Sequence, residues 1–102
     1  MLVSCSAGSS ANAEEIANAL IAERIAACVQ ISPVSSIYRW EGAVHHDSEF
    51  SLRIKTSAER VSAVESVIKR LHTYDLPEII VLPIIGGSPE YLGWLADSVR
   101  SL

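Results

Sequence analysis

Residues 37 to 56, IYRWEGAVHHDSEFSLRIKT, decide how this chain folds. Tyr38, Trp40, Gly42 and Val44 fall on one side of an extended chain, and Phe50, Leu52 and Ile54 do the same in a second run. Such alternation in aromatic and β-branched residues marks half-buried strands, because successive side chains of a strand point to opposite faces. Val44 to Glu49 between the runs is polar, and the chain is expected to reverse there. The stretch is a long β-hairpin with His45 and His46 at its expected tip and an isolated Lys55 in its second strand. A hairpin of this length must pack on something or project to meet a partner.

Upstream of it, Met1 to Ser6 forms a first strand with Cys5 near its end, closed by the loop Ala7-Gly8-Ser9-Ser10. Asn12 and Glu15 have the spacing of a capping box, and Ile16, Leu20, Ile21 and Ile25 recur at helical spacing, so a helix runs to Ala27 or Cys28. Val29 to Ile31 resumes an extended chain, which Pro33 interrupts. Downstream, Thr56 and Glu59 repeat the capping spacing ahead of the stripe Val61, Val64, Ile68 and Leu71, and this second helix stops between His72 and Asp75. EIIVLPII, Glu78 to Ile85, is a fourth strand, ended by Gly86-Gly87. Ser88 then caps a last helix with Pro89 at its first position and Leu92, Leu95, Val99 and Leu102 on its apolar side, Tyr91 and Trp94 beside them.

The order βαββαβ plus a C-terminal helix is that of an α+β, ferredoxin-like domain, residues 1–102, with both helices on one face of an antiparallel sheet ordered 4-1-3-2. The prolines agree with that order. Proline cannot donate to a sheet ladder, and Pro33 and Pro83 fall in the two strands that the order places at the edges. Exposed edges and a protruding hairpin suit an oligomer that covers them.

Composition excludes several classes. The net charge of −4, with basic residues dispersed along the chain, argues against a nucleic-acid groove or an anionic membrane surface. The longest apolar run, Ile79 to Ile85, contains Pro83 and is too short to span a bilayer. With no basic leader ahead of an apolar segment, the expected location is cytoplasmic, where Cys5 and Cys28 are free thiols. There is no phosphate-binding glycine loop, no nucleophile elbow and no nucleophile spaced for a base, so neither an enzyme nor an organic cofactor is expected. The third strand also lacks the aromatic spacing of ferredoxin-like RNA binders.

Strand directions place Cys5, the hairpin tip with His45, His46 and Glu49, His72 and Glu78 towards one end of the domain, and Cys28 and Lys55 towards the other. Cys5 and His72 together suit copper or zinc, but two ligands are too few for a tight site without a carboxylate, a second subunit or water. The plainer readings are a buried small residue for Cys5 and a helix C-terminal cap for His72. His45 and His46 point to opposite faces and cannot chelate together; Cys28 reads as core. Tyr38, Trp40, Tyr91 and Trp94, with Lys55, either line a pocket for an anionic or carbonyl ligand or pack an interface.

Four segments, residues 23–42 (ERIAACVQISPVSSIYRWEG), 49–56 (EFSLRIKT), 72–84 (HTYDLPEIIVLPI) and 91–99 (YLGWLADSV), resemble in order and spacing the CutA divalent-cation-tolerance proteins. The resemblance covers nearly the whole chain. It implies a compact homotrimer whose hairpins exchange strand pairing, a ligand-sized cleft at each subunit interface, a role in tolerance to divalent cations and to copper above all, and architectural kinship with trimeric PII signalling proteins. By the same resemblance Cys5 and His72 match positions associated with copper, and Tyr38, Trp40, Lys55, Glu78, Tyr91 and Trp94 match residues lining the interface cleft. The chain departs from the pattern at Leu71, where some members carry a histidine, at Thr73, usually proline, and at Gln30, commonly asparagine. The expected function is weak binding of copper or a related divalent cation; the alternative is a PII-like module holding a small anionic metabolite in the cleft.

Overall fold

The computed structural model describes residues 1–100, so Leu102, expected on the last helix, lies outside the described residues. The elements are β1 (Leu2–Ala7), α1 (Ser10–Ala22), β2 (Cys28–Trp40), β3 (Ala43–Lys55), α2 (Val61–Leu71, entered through a 3-10 turn at Ala58–Arg60), β4 (Ile80–Leu82) and α3 (Pro89–Ser98). The sheet is antiparallel in the order β2-β3-β1-β4, so the expected ferredoxin-like arrangement is found. One face of the sheet, through Val3, Cys5, Ala7, Leu52 and Ile54, closes on Ile16 and Leu20 of α1 and Val64 and Ile68 of α2, all fully buried. The other face carries Ser4, Ser6 and Ser51, partly exposed, and Arg53, exposed.

The hairpin reverses at Glu41-Gly42, not within Val44 to Glu49. Both residues have positive φ, 50° and 78°, the conformation of the two-residue turn that matches the twist of paired strands. Val44 to Glu49 therefore belongs to β3 and pairs with Arg39 back to Val34. Val44, His46, Asp47 and Ser48 are exposed, so the polarity of this stretch reports solvent and not a turn, while Glu49 is buried. Val44 is register partner to Arg39, on the face opposite Trp40. His45 and His46 are accordingly strand residues: the His45 ring stacks on Tyr38 with centroids 5.4 Å apart, while His46 is exposed opposite Ile37.

Pro33 does not interrupt β2, which runs through it as an edge strand with one neighbour, so the missing N–H breaks no second ladder. Pro83 follows directly on β4, which is three residues long where eight were expected. The cap of α1 is Ser9, whose side chain accepts from the Asn12 N–H at 3.1 Å. Asn12 is instead buried, and its amide donates to the Leu71 carbonyl at 3.0 Å, tying the start of α1 to the end of α2. Helix α1 stops at Ala22 because Arg24 takes a left-handed φ of 60°, which swings Ile25 and Ala26 into the core. Thr56 does not cap α2; it is fully buried and its hydroxyl donates to the Ile25 carbonyl at 2.6 Å. Ser88 and Pro89 begin α3 as expected, with Ser88 accepting from the Tyr91 N–H.

Candidate functional site

The chain leaving α2 crosses the end of β1, and this crossing brings Cys5 and His72 to the same carbonyl. His72 holds the helix end through its backbone N–H, which donates to Ile68 at 2.8 Å. Its ring Nδ1 accepts from the Tyr74 backbone N–H at 3.0 Å, so that nitrogen carries no proton. The proton is then on Nε2, which donates to the Ser6 carbonyl at 2.7 Å. Cys5, fully buried on β1, directs its thiol at the same Ser6 oxygen over a long 3.8 Å. Burial pushes the Cys5 thiol up to about 12, and the Glu78 carboxylate adds to the effect. Glu78 itself accepts from the Ser4 hydroxyl at 3.2 Å. Among the described residues no group of three or more His, Cys, Asp or Glu side chains is placed to hold a metal ion.

Beyond His72, the Tyr74 ring leans on the imidazole, with centroids 4.8 Å apart, and its hydroxyl donates to Glu49 at 2.9 Å. It passes so close to Gly8 that a Cβ there would lie 2.7 Å from the phenolic oxygen. Glu49 is 8% exposed despite its charge. Burial, followed by the bond to Glu49, raises the Tyr74 hydroxyl to about 12. Tyr38 is raised chiefly by its bond to Asp47. Neither Tyr74 nor Glu49 stood out as a site residue in the sequence; the glycine just after β1 was the one local sign that something packs closely there.

The segment 73–78 and the open face of the sheet enclose a cleft of about 830 Å³. Tyr38, Trp40 and Glu78 line it, with Glu49, Tyr74 and Asp75. Lys55, Tyr91 and Trp94 are not in its wall. Lys55 sits opposite Leu2 and Cys28 at the far end of the ladders, 3.3 Å from the Tyr91 hydroxyl and 5.4 Å from the ring centroid, and the Tyr91 and Trp94 rings are 5.4 Å apart. The six residues expected in one cleft thus form two groups within a chain. Among the described residues no Lys, Arg or His side chain lines the cleft. Cys28, expected in the core, is only partly buried.

Residues 1–98 match the model of the family described as CutA1 divalent ion tolerance protein. A divalent-cation tolerance protein CutA of Thermus thermophilus is 47% identical over 87 residues, 84% of this chain and 84% of its own length. A chloroplastic CutA of Arabidopsis thaliana is 45% identical over 86% of this chain, which spans about half of that relative, 49%. Among solved structures, a periplasmic divalent cation tolerance protein CutA from Archaeoglobus fulgidus superposes with a TM-score of 0.95 at 35% identity, covering 97% of each chain.

Proposed function

From the premise that this chain belongs to the CutA1 divalent ion tolerance family, we propose that it serves tolerance to divalent cations as a homotrimer, contacting copper or a related cation weakly through Cys5 and His72. The observation that carries the reading is the meeting of both side chains at the Ser6 carbonyl. They fit an exchangeable cation and not a resident metal. The thiol must give up a proton it holds to about 12, His72 must give up one of two hydrogen bonds, and further ligands must come from water or a second copy. Each of these costs affinity. The proposal involves no catalysis: the family is named for tolerance, and the roles assigned to Cys5 and His72 are those of ligands. A cytoplasmic location belongs to the same proposal, supported by two free cysteines, although relatives include a chloroplastic and a periplasmic protein by name. An anionic metabolite in the cleft is not favoured, since the wall offers it no cation.

The assembly is supported by apolar surface left open on a single chain. Ile37 at 69%, Leu76 at 70% and Ile85 at 98% exposed are more than an isolated domain leaves in water without cause, and the edges β2 and β4 have unpaired sides. The protein sedimented at micromolar concentration should run as a trimer. That species, titrated with zinc and with copper, should bind each, and Cys5→Ser and His72→Ala should each weaken binding about tenfold or more. A monomer would overturn the assembly, and isotherms identical to wild type would remove both residues from any site.

A further inference from the structure

We propose that residues 73–78 form a strap that must lift from His72 before a cation can bind there, and that the bond from Tyr74 to Glu49 is the latch that holds it down. This rests on the cation contact assigned to Cys5 and His72 and adds what controls it. A neutral imidazole has one lone pair to offer, and here it lies on Nδ1, where the Tyr74 backbone N–H occupies it at 3.0 Å. An ion that takes Nδ1 displaces that N–H directly. An ion that takes Nε2, the nitrogen that shares the Ser6 carbonyl with Cys5, sends the Nε2 proton to Nδ1, and two N–H groups then face each other. By either route the Tyr74 N–H has to leave, and the residues joined to it move with it.

Little besides Tyr74 keeps the strap in place. Residues 73–78 belong to no helix or strand, and all but Pro77 are exposed. Among the described residues their hydrogen bonds are the two made by Tyr74 and the one that Glu78 accepts from Ser4. The phenol is the firmer hold, since it donates at 2.9 Å to Glu49, a buried carboxylate fixed on β3. A hydrogen bond to a charged acceptor is stronger than one between neutral groups, and at a buried acceptor water cannot readily replace it. The seat of the ring is shaped for it: Gly8 leaves room that a Cβ would fill, and the imidazole lies against its tilted face. Glycine, carboxylate and imidazole come from the loop after β1, from β3 and from the end of α2, and Tyr74 touches all three.

The affinity of His72 for a cation is then reduced by the fraction of molecules in which the strap is lifted. Cation binding and closure exclude each other, so each weakens the other by the same factor. Tyr74 touches no ion and acts through His72, which makes it a positioning residue. Its effect also has a distinctive sign. Loss of a residue that merely supports the site loosens cation binding, whereas loss of the latch tightens it.

Calorimetric titration with zinc, paired with amide hydrogen exchange at position 74 in the metal-free protein, tests this. Both use the native assembly, because Leu76 of the strap belongs to the apolar surface given above to subunit contact. Tyr74→Phe removes only the latch hydroxyl and is expected to bind zinc about tenfold more tightly, the amount that one hydrogen bond to a charged group carries. Without zinc, the amide at position 74 should exchange faster by a matching factor, since both quantities report the same opening. Glu49→Gln keeps an acceptor but not the charge and should shift both several-fold in the same direction. Ser66→Ala, which loses a hydroxyl on the exposed side of α2, should shift neither. Tyr74→Phe protein that binds zinc no more tightly than wild type, while His72→Ala still weakens binding, would overturn the strap and leave the cation contact standing. Tighter zinc binding with unchanged exchange at position 74 would also overturn it. Identical isotherms for wild type and His72→Ala would overturn both.

Discussion

Leu52→Ala is expected to lower the unfolding free energy by about 2–5 kcal/mol, the range for removing a buried aliphatic side chain from a packed core. Leu52 is fully buried at the middle of the sheet, opposite Cys5 on one side and Ile31 on the other, in the cluster that includes Ile16, Leu20 and Ile68. Both neighbours are held in ladders, so the strands cannot close the space left behind. Val29→Ala, at a partly buried position on the outer strand, should cost less. Urea unfolding of both variants at one protein concentration checks this, since the stability of an oligomer depends on concentration. A loss below about 1 kcal/mol for Leu52→Ala would mean that the core is not packed as described.

Gly8→Ala carries the second large effect, and it acts on the site. The added Cβ would lie 2.7 Å from the Tyr74 hydroxyl oxygen and 3.2 and 3.3 Å from two ring carbons, so the ring must move. Its hydroxyl then leaves Glu49, a carboxylate 8% exposed, without its donor. A buried group stripped of its partner costs about 1–3 kcal/mol. Tyr74→Phe loses the same bond without the clash and should cost a similar amount. In the double variant Gly8→Ala/Tyr74→Ala the two changes should be strongly non-additive, because the glycine matters only while the ring is there. Additive losses in a thermal unfolding cycle would show that Gly8 and Tyr74 do not meet.

The sheet order was legible from the element order βαββαβ, and the observed order β2-β3-β1-β4 agrees; Pro33 does lie in an edge strand as expected, whereas Pro83 falls just beyond β4. The hairpin tip was misplaced because polarity was taken for a turn, whereas positive φ at Glu41-Gly42 is what reverses the chain. Asn12 and Thr56 had capping spacing, but tertiary contacts claimed them: one binds the Leu71 carbonyl and the other the Ile25 carbonyl, each across the core. At the site, strand direction sufficed to bring Cys5 near His72. It could not reveal that Tyr74 fixes the imidazole tautomer, nor that Glu49 is buried beneath it. Those depend on how the irregular segment 73–78 lies over the sheet, which no periodicity encodes. The separation of Lys55 from Tyr38 and Trp40 was legible from strand direction, which places Lys55 at the opposite end of the domain from the hairpin tip; that Tyr91 joins Lys55 was not, because it depends on where α3 docks.

Proton release on zinc binding tests the central claim, a cation contact that uses the Cys5 sulfur. At neutral pH the thiol is protonated, because burial and Glu78 hold it to about 12, and only the thiolate is a ligand. Zinc must therefore displace that proton. Over a window well below 12 the apparent affinity should rise about tenfold per pH unit, with close to one proton released per zinc bound at Cys5. Calorimetry of the native protein at pH 7 and 8 in buffers of different ionisation enthalpy measures both quantities. The account predicts this slope and release in the wild type and their loss in Cys5→Ser; wild-type and Cys5→Ser protein with the same slope and the same release would contradict it.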